Sequence, residues 1–160
     1  MASKVPTIRQ ISWISIIPQI VVMLFLTFIF HKLNANEPPL YGAITYLLIS
    51  ISLRNFVPKS HREGLKLTNE HKFENAIEKF KNSYNFFTEY NWIDKYRFVT
   101  LLSSSKMNYR EMALCNIAFC YSQIGNGQKA IEYYKKTLSE FPRNNLAQAG
   151  LKMLTSIENK

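Results

Sequence analysis

The stretch YREMALCNIAFCYSQIGNGQKAIEYYKKTLSEFP (109–142) decides how the C-terminal part of this chain folds. Its first half places Met112, Leu114, Ile117, Ala118, Tyr121 and Ile124 on one wide apolar stripe of helical period. Gly125 ends that helix and Asn126-Gly127 signals a turn. A second helix follows, with Ala130, Ile131, Tyr134, Leu138 and Phe141 on its inner side, and Pro142 stops it. Two amphipathic helices joined by a tight turn make a helical hairpin, and a lone hairpin of this kind calls for a copy to bury its second face.

The copy lies upstream, in HREGLKLTNEHKFENAIEKFKNSYNFF (61–87), with Gly64, Leu67, Phe73, Ala76, Phe80 and Ser83. Gly64 to Ala76 and Ala118 to Ala130 are both separations of twelve residues. A small residue at the first point lets the second helix pass close, the Ala is the reciprocal contact, and the aromatic one turn later fills the space beside it. The pattern resembles the tetratricopeptide repeat family, whose repeat is about 34 residues long. Leu114, Ile117, Ala118, Tyr121, Ala130, Tyr134, Thr137 and Pro142 fall on its eight signature positions. The substitutions are Leu for Trp, Ala for Gly, Tyr for Phe and Thr for Ala. The upstream unit keeps Gly64, Leu67, Ala76, Phe80 and Ser83, but has Ser60, Glu63 and Thr88 at the other three positions. Two unrelated helical hairpins are the alternative reading.

The chain departs from that period in one place. Ala76 and Ala130 stand 54 residues apart, so 20 residues have been added. The addition includes TEYNWIDKYRFVTLLSSSKMN (88–108), where Asn91 as cap and Asp94 three residues later predict a helix over 92–102. Trp92, Tyr96, Val99 and Leu102 line one side of it, and so many aromatic neighbours point to core, with a binding surface as the alternative. It is either an extra helix between the repeats or an extension of the helix before it. The tail, from Asn144 to about residue 158, carries the stripe of a capping helix through Leu146, Ala149 or Gly150, Met153 or Leu154, and Ile157.

The N-terminal part is of another kind. ISWISIIPQIVVMLFLTFIF (11–30) has no charged side chain, and fifteen of its twenty residues are Ile, Val, Leu, Met, Phe or Trp. As a helix it measures about 30 Å, the thickness of a bilayer's hydrocarbon core. LYGAITYLLISISL (40–53) is also uncharged but alone reaches only about 21 Å. Pro38 and Pro39 suit a helix start, and running on to Val57 gives 18 residues and a second span, with Arg54 able to snorkel outward and Gly42, Thr45, Ile49 and Ser52 on a helix-packing face. An interfacial or re-entrant segment is the alternative. A cleaved signal peptide fits less well, because the apolar core exceeds the usual length of about 7–15 residues. Lys4 and Arg9 precede the first span, and Arg54, Lys59, Arg62 and Lys66 follow the second. The positive-inside rule therefore predicts a two-pass integral membrane protein with its N-terminus and repeat domain cytoplasmic. Fourteen Asn are present and none stands in an Asn-X-Ser/Thr acceptor, in keeping with that topology.

The expected plan is all-α: a membrane anchor over 1–57 with transmembrane helices at about 11–31 and 39–56, then a tetratricopeptide-like domain over 58–160. Within it lie a repeat at about 58–90, an insert at 91–108, a repeat at 109–142 and a capping helix at 144–158. No nucleotide-binding, zinc-protease, nucleophile-elbow or CxxC motif occurs. Cys115 and Cys120 are five apart on a helix and face apart, and His31, His61 and His71 join no foreseeable cluster. The expectation is no enzyme and no cofactor. The net charge of +9 reflects 20 Lys and Arg against 11 Asp and Glu. Four of the basic residues lie in 54–66 beside the membrane, so anionic lipid explains the excess better than nucleic acid does.

The resemblance implies a concave partner groove built by the first helix of each repeat. The residues matching its inward positions are His61, Leu65, Thr68, Met112, Cys115, Asn116, Phe119 and Gln123. Only Asn116 coincides with the family's carboxylate-binding pattern, so capture of a C-terminal carboxylate is not implied. The function expected is a membrane-anchored module or scaffold binding another protein or its own copies. The alternative is a self-associating structural membrane protein, or a non-catalytic accessory subunit of a membrane complex.

Overall fold

The computed structural model describes residues 11–158. Among them the chain is all-helical, and the sole bridge between extended segments is an isolated antiparallel one between Ile11 and Ser105. Two compact units form among the described residues: one holds 11–57 together with Trp92–Lys106, the other Pro58–Asn91 and 107–158.

The first unit contains a 3-10 turn (Trp13–Ser15), α1 (Ile16–Lys32) and α2 (Pro38–Phe56). Pro38 and Pro39 open α2, where a missing backbone N–H does no harm. Trp13–Lys32 is long and apolar enough to cross a membrane, and only 6% of it is buried. Pro38–Phe56 reaches that standard only when counted together with the helix after it. The two helices approach closely where Gly42 faces Thr27: a Cβ there would lie 2.6 Å from the Thr27 hydroxyl and 2.9 Å from its backbone nitrogen. Beyond Gly42 the inward stripe differs from the expected one. Ser50 is buried, whereas Ile49 and Ser52 are exposed.

The inserted segment, expected as one helix, breaks into α5 (Asn91–Lys95) and α6 (Arg97–Thr100). From Trp92 onward it belongs to the unit of α1 and α2, and α6 packs on α1. The chain then turns at Leu102, whose φ of 47° is left-handed, a cost of about 1–2 kcal/mol for a residue with a Cβ. The turn is held by its own carbonyl, which accepts from Gln19 Nε2 at 3.2 Å and from the Arg54 guanidinium. Arg54, expected to reach outward to the lipid surface, is thus turned inward. Ser12 N–H donates to the Ser104 carbonyl at 2.9 Å, and Arg97 donates to the carbonyls of Ser105 (3.1 Å) and Lys106 (2.6 Å).

The second unit stacks α3 (Lys59–Asn69), α4 (Phe73–Glu89), α7 (Tyr109–Gln123), α8 (Gly127–Glu140) and α9 (Asn145–Glu158) in that order, each against the next. Nothing is inserted between α4 and α7, which pack directly. The turns after α3 and α7 are matched: His71 (φ 59°) and Gly125 (φ 77°) are both left-handed and stand 54 residues apart. Lys72 N–H donates to the Leu67 carbonyl and Asn126 N–H to the Tyr121 carbonyl, the same helix-ending bond in each. Asn108, Asn126 and Asn144 each accept a backbone N–H at the start of α7, α8 and α9.

The core is made of Ala76, Ile77, Phe80, Ile117, Cys120, Tyr121 and Ala130, continued by Cys115, Ala118, Tyr134 and Ala147. Of the signature residues, Gly64, Ala76, Phe80, Leu114, Ala118, Tyr121, Ala130 and Tyr134 are buried, Leu67 is half-buried and Pro142 is exposed. Gly64 lies under the Phe80 ring, where a Cβ would meet Cε1 at 2.7 Å, and Gly150 lies under the Tyr134 ring at 2.4 Å.

Candidate interaction surfaces

Three of the eight expected groove residues are core. His61, on α3, is 3% exposed and wedged edge-on between the rings of Phe80 (5.4 Å) and Tyr109 (5.3 Å). Its Nδ1 is 3.3 Å from the Ser83 hydroxyl, and burial pushes the imidazole down to about 4. Thr68 donates to the Gly64 carbonyl at 2.8 Å and lies 3.7 Å from Cys120 Sγ. Cys115 accepts from Asn144 Nδ2 at 3.3 Å beneath the start of α9. The physical reason is closure by neighbours: α4 and Tyr109 cover His61, and α9, through Ala147, covers Cys115.

The other five remain at least partly open. Leu65, Met112, Asn116 and Phe119 are half-buried, and Gln123 is exposed. Phe119 stands edge-on to Phe73 at 6.3 Å, and both rest on the core together with Leu65. A partner would therefore meet a shallow apolar strip along α3 and α7, not a deep groove.

Sequence reasoning missed a second surface, built by α4, α7 and α8. Lys81 Nζ sits 5.8 Å from the Tyr121 ring and 6.0 Å from the Tyr133 ring, and donates to the Tyr121 hydroxyl at 3.3 Å. Lys129 faces Tyr121 at 5.4 Å and Lys136 faces Tyr84 at 4.5 Å. Ammonium groups over tyrosine faces are held in place by the ring quadrupole. Beside them Glu140 accepts from Arg110 (2.6 Å) and from the Tyr84 hydroxyl (2.6 Å), tying three helices together. An open cleft of about 370 Å³ adjoins this knot, lined by Glu111, Glu140, Phe141, Pro142 and Arg143. The Lys of α4 and α8 and the Tyr of all three helices are visible in the sequence, but their pairing comes only from the stacking order.

The groups with chemical potential are muted. Burial pushes the Cys115 thiol up to about 12 and the Cys120 thiol up to about 11, so both stay protonated at neutral pH, where a thiol is a weak nucleophile. Among the described residues no three His, Cys, Asp or Glu side chains gather as a metal site would require. No family model, no curated protein and no solved structure matches this chain. Fold and surfaces define a class: an all-helical protein with one N-terminal helix long and apolar enough for a membrane.

Proposed function

We propose that this chain is a membrane-anchored protein–protein interaction module whose second unit is a tetratricopeptide-like domain. The observation that carries it is the pairing of unlike parts: Trp13–Lys32 leaves its apolar surface uncovered, while α3, α4, α7, α8 and α9 bury a core of their own. A helix without a polar face has no stable place in water. The family reading draws on the signature residues and on the matched turns at His71 and Gly125. Basic residues at 54–66 favour a two-pass anchor with the domain on the cytoplasmic side; Lys59, Arg62 and Lys66 are exposed, and anionic head groups attract a juxtamembrane cluster of this kind. The strip of Leu65, Asn116, Phe119 and Gln123 suits an apolar or mixed helix from another polypeptide.

The test is crosslinking in intact membranes after an alkaline wash, followed by identification of the attached proteins. The proposal expects the chain to stay with the membrane pellet and to carry a distinct partner whose yield falls in the double variant Leu65→Glu and Phe119→Glu. Release into the wash removes the anchor. Recovery of nothing but the chain itself favours the self-associating structural reading.

A further inference from the structure

The inserted segment presents its aromatic residues to the outside. Trp92 is 59% exposed, Tyr96 56% and Val99 56%, although so many aromatic neighbours pointed to core. All three are exposed on either side of the break at Tyr96, and Lys95, also exposed, holds its ammonium 5.5 Å from the Tyr96 ring. Asp94, Leu101 and Leu102 are buried instead, at 1%, 0% and 2% exposed.

The segment's position along the apolar pair is set by its bonds. Leu102 takes hydrogen bonds from Gln19 and Arg54, and Ser104 takes one from Ser12. Ser12 and Gln19 belong to the entry of α1 and Arg54 to the exit of α2, so the segment sits at the end opposite the 33–37 link. That end also exposes Trp13 (80%) and Phe56 (77%). If Trp13–Lys32 crosses a bilayer, this end marks one of its two surfaces, the level where Trp and Tyr partition and where Lys reaches the head groups.

We infer that residues 92–99 are a second, interfacial membrane contact, with Trp92, Tyr96 and Val99 seated among the lipid head groups of the leaflet that α1 enters. The inference rests on the membrane reading of α1 and deepens it. Its occupant is lipid because Trp92, Tyr96 and Val99 are exposed in the same compact unit as the uncovered apolar helix α1, at the end where Trp13 and Phe56 are exposed as well. The insert thus acts as a collar that fixes how far the apolar pair is immersed.

The chain has two tryptophans, Trp13 and Trp92, so two single-tryptophan versions of the full-length protein separate the possibilities. Trp13→Phe leaves Trp92 and Trp92→Phe leaves Trp13. Each is reconstituted into phosphatidylcholine–phosphatidylglycerol vesicles carrying bromine at defined depths of the acyl chain. Trp92 is expected to emit blue-shifted, to be quenched most by bromine nearest the head group, and to be several-fold less quenched by aqueous iodide than in the detergent-free unfolded chain. Trp13 quenched by lipid bromine with Trp92 open to iodide overturns the collar and leaves the anchor standing. Neither residue quenched by bromine overturns both. A Trp92 shielded from iodide yet insensitive to bromine at every depth means a protein surface covers it, and lipid is the wrong occupant.

Discussion

A methyl group on Gly64 would stand 2.7 Å from the Phe80 ring, and that ring is fully buried with no room to retreat. Gly64→Val is therefore expected to lower stability by about 2 kcal/mol through overpacking, read as a shifted urea midpoint in mild detergent. Gly127 is the control. A Cβ there meets nothing within 4 Å, and Gly127→Ala should raise stability by about 0.5 kcal/mol by narrowing the unfolded ensemble. His61 carries a pH signature of its own. Its folded value near 4 lies below the ordinary 6.5, so the unfolded chain takes up a proton that the folded chain refuses. Stability is intact above 6.5 and falls as the pH drops toward 4, by about 1.4 kcal/mol per pH unit and about 3 kcal/mol in all. Glu63 and Glu70, held low by Lys79 and Lys72, add their losses only below the ordinary carboxylate value of 4.5. His61→Gln should flatten the midpoint between pH 6.5 and 4.5. An unchanged slope would remove His61 as its source.

At the scale of elements, caps and turns were readable because they depend on a few adjacent residues. Asn144 as the start of α9 needs only its own carbonyl oxygen, which accepts from Ala147 N–H at 2.7 Å. Its amide, however, also donates to Glu111 (2.9 Å) and Cys115 (3.3 Å) on α7, and no local pattern announces that. Asn144→Ala should cost about 2 kcal/mol, cap and buried partners together, and hydrogen exchange should show α9 opening faster than α7. The insert was misjudged at this scale. Aromatic residues at helical spacing look the same whether they face a core or a lipid surface, and here Leu101 and Leu102 face inward while Trp92 and Tyr96 do not. Three of the expected groove residues are covered for the complementary reason: position along α3 and α7 was legible, but the covering of His61 and Cys115 depends on Tyr109 and α9.

For the whole molecule, residues 92–106 belong to the first unit although the segments on either side of them belong to the second. A chain starting at residue 58 would strip the left-handed turn at Leu102 of its bonds from Gln19 and Arg54. Trypsin is expected to cut that fragment at Arg97 far faster than the full-length protein in detergent. The core of Phe80, Ile117 and Tyr121 lies wholly in the second unit and should keep its helical signal. Equal protection of Arg97 in both forms would contradict this division.

The amino-acid sequence by itself determined the helices, their caps, the apolar stretch fit for a membrane and the small-residue positions on which rings rest. Each of these follows from periodicity, backbone preference or side-chain volume within a few turns of chain. Tertiary structure decided the side to which the inserted aromatics turn, the residues that close over His61 and Cys115, and the pairing of lysines with tyrosines across α4, α7 and α8. Those outcomes depend on contacts between residues far apart in sequence, and a local pattern carries no record of what will be laid against it.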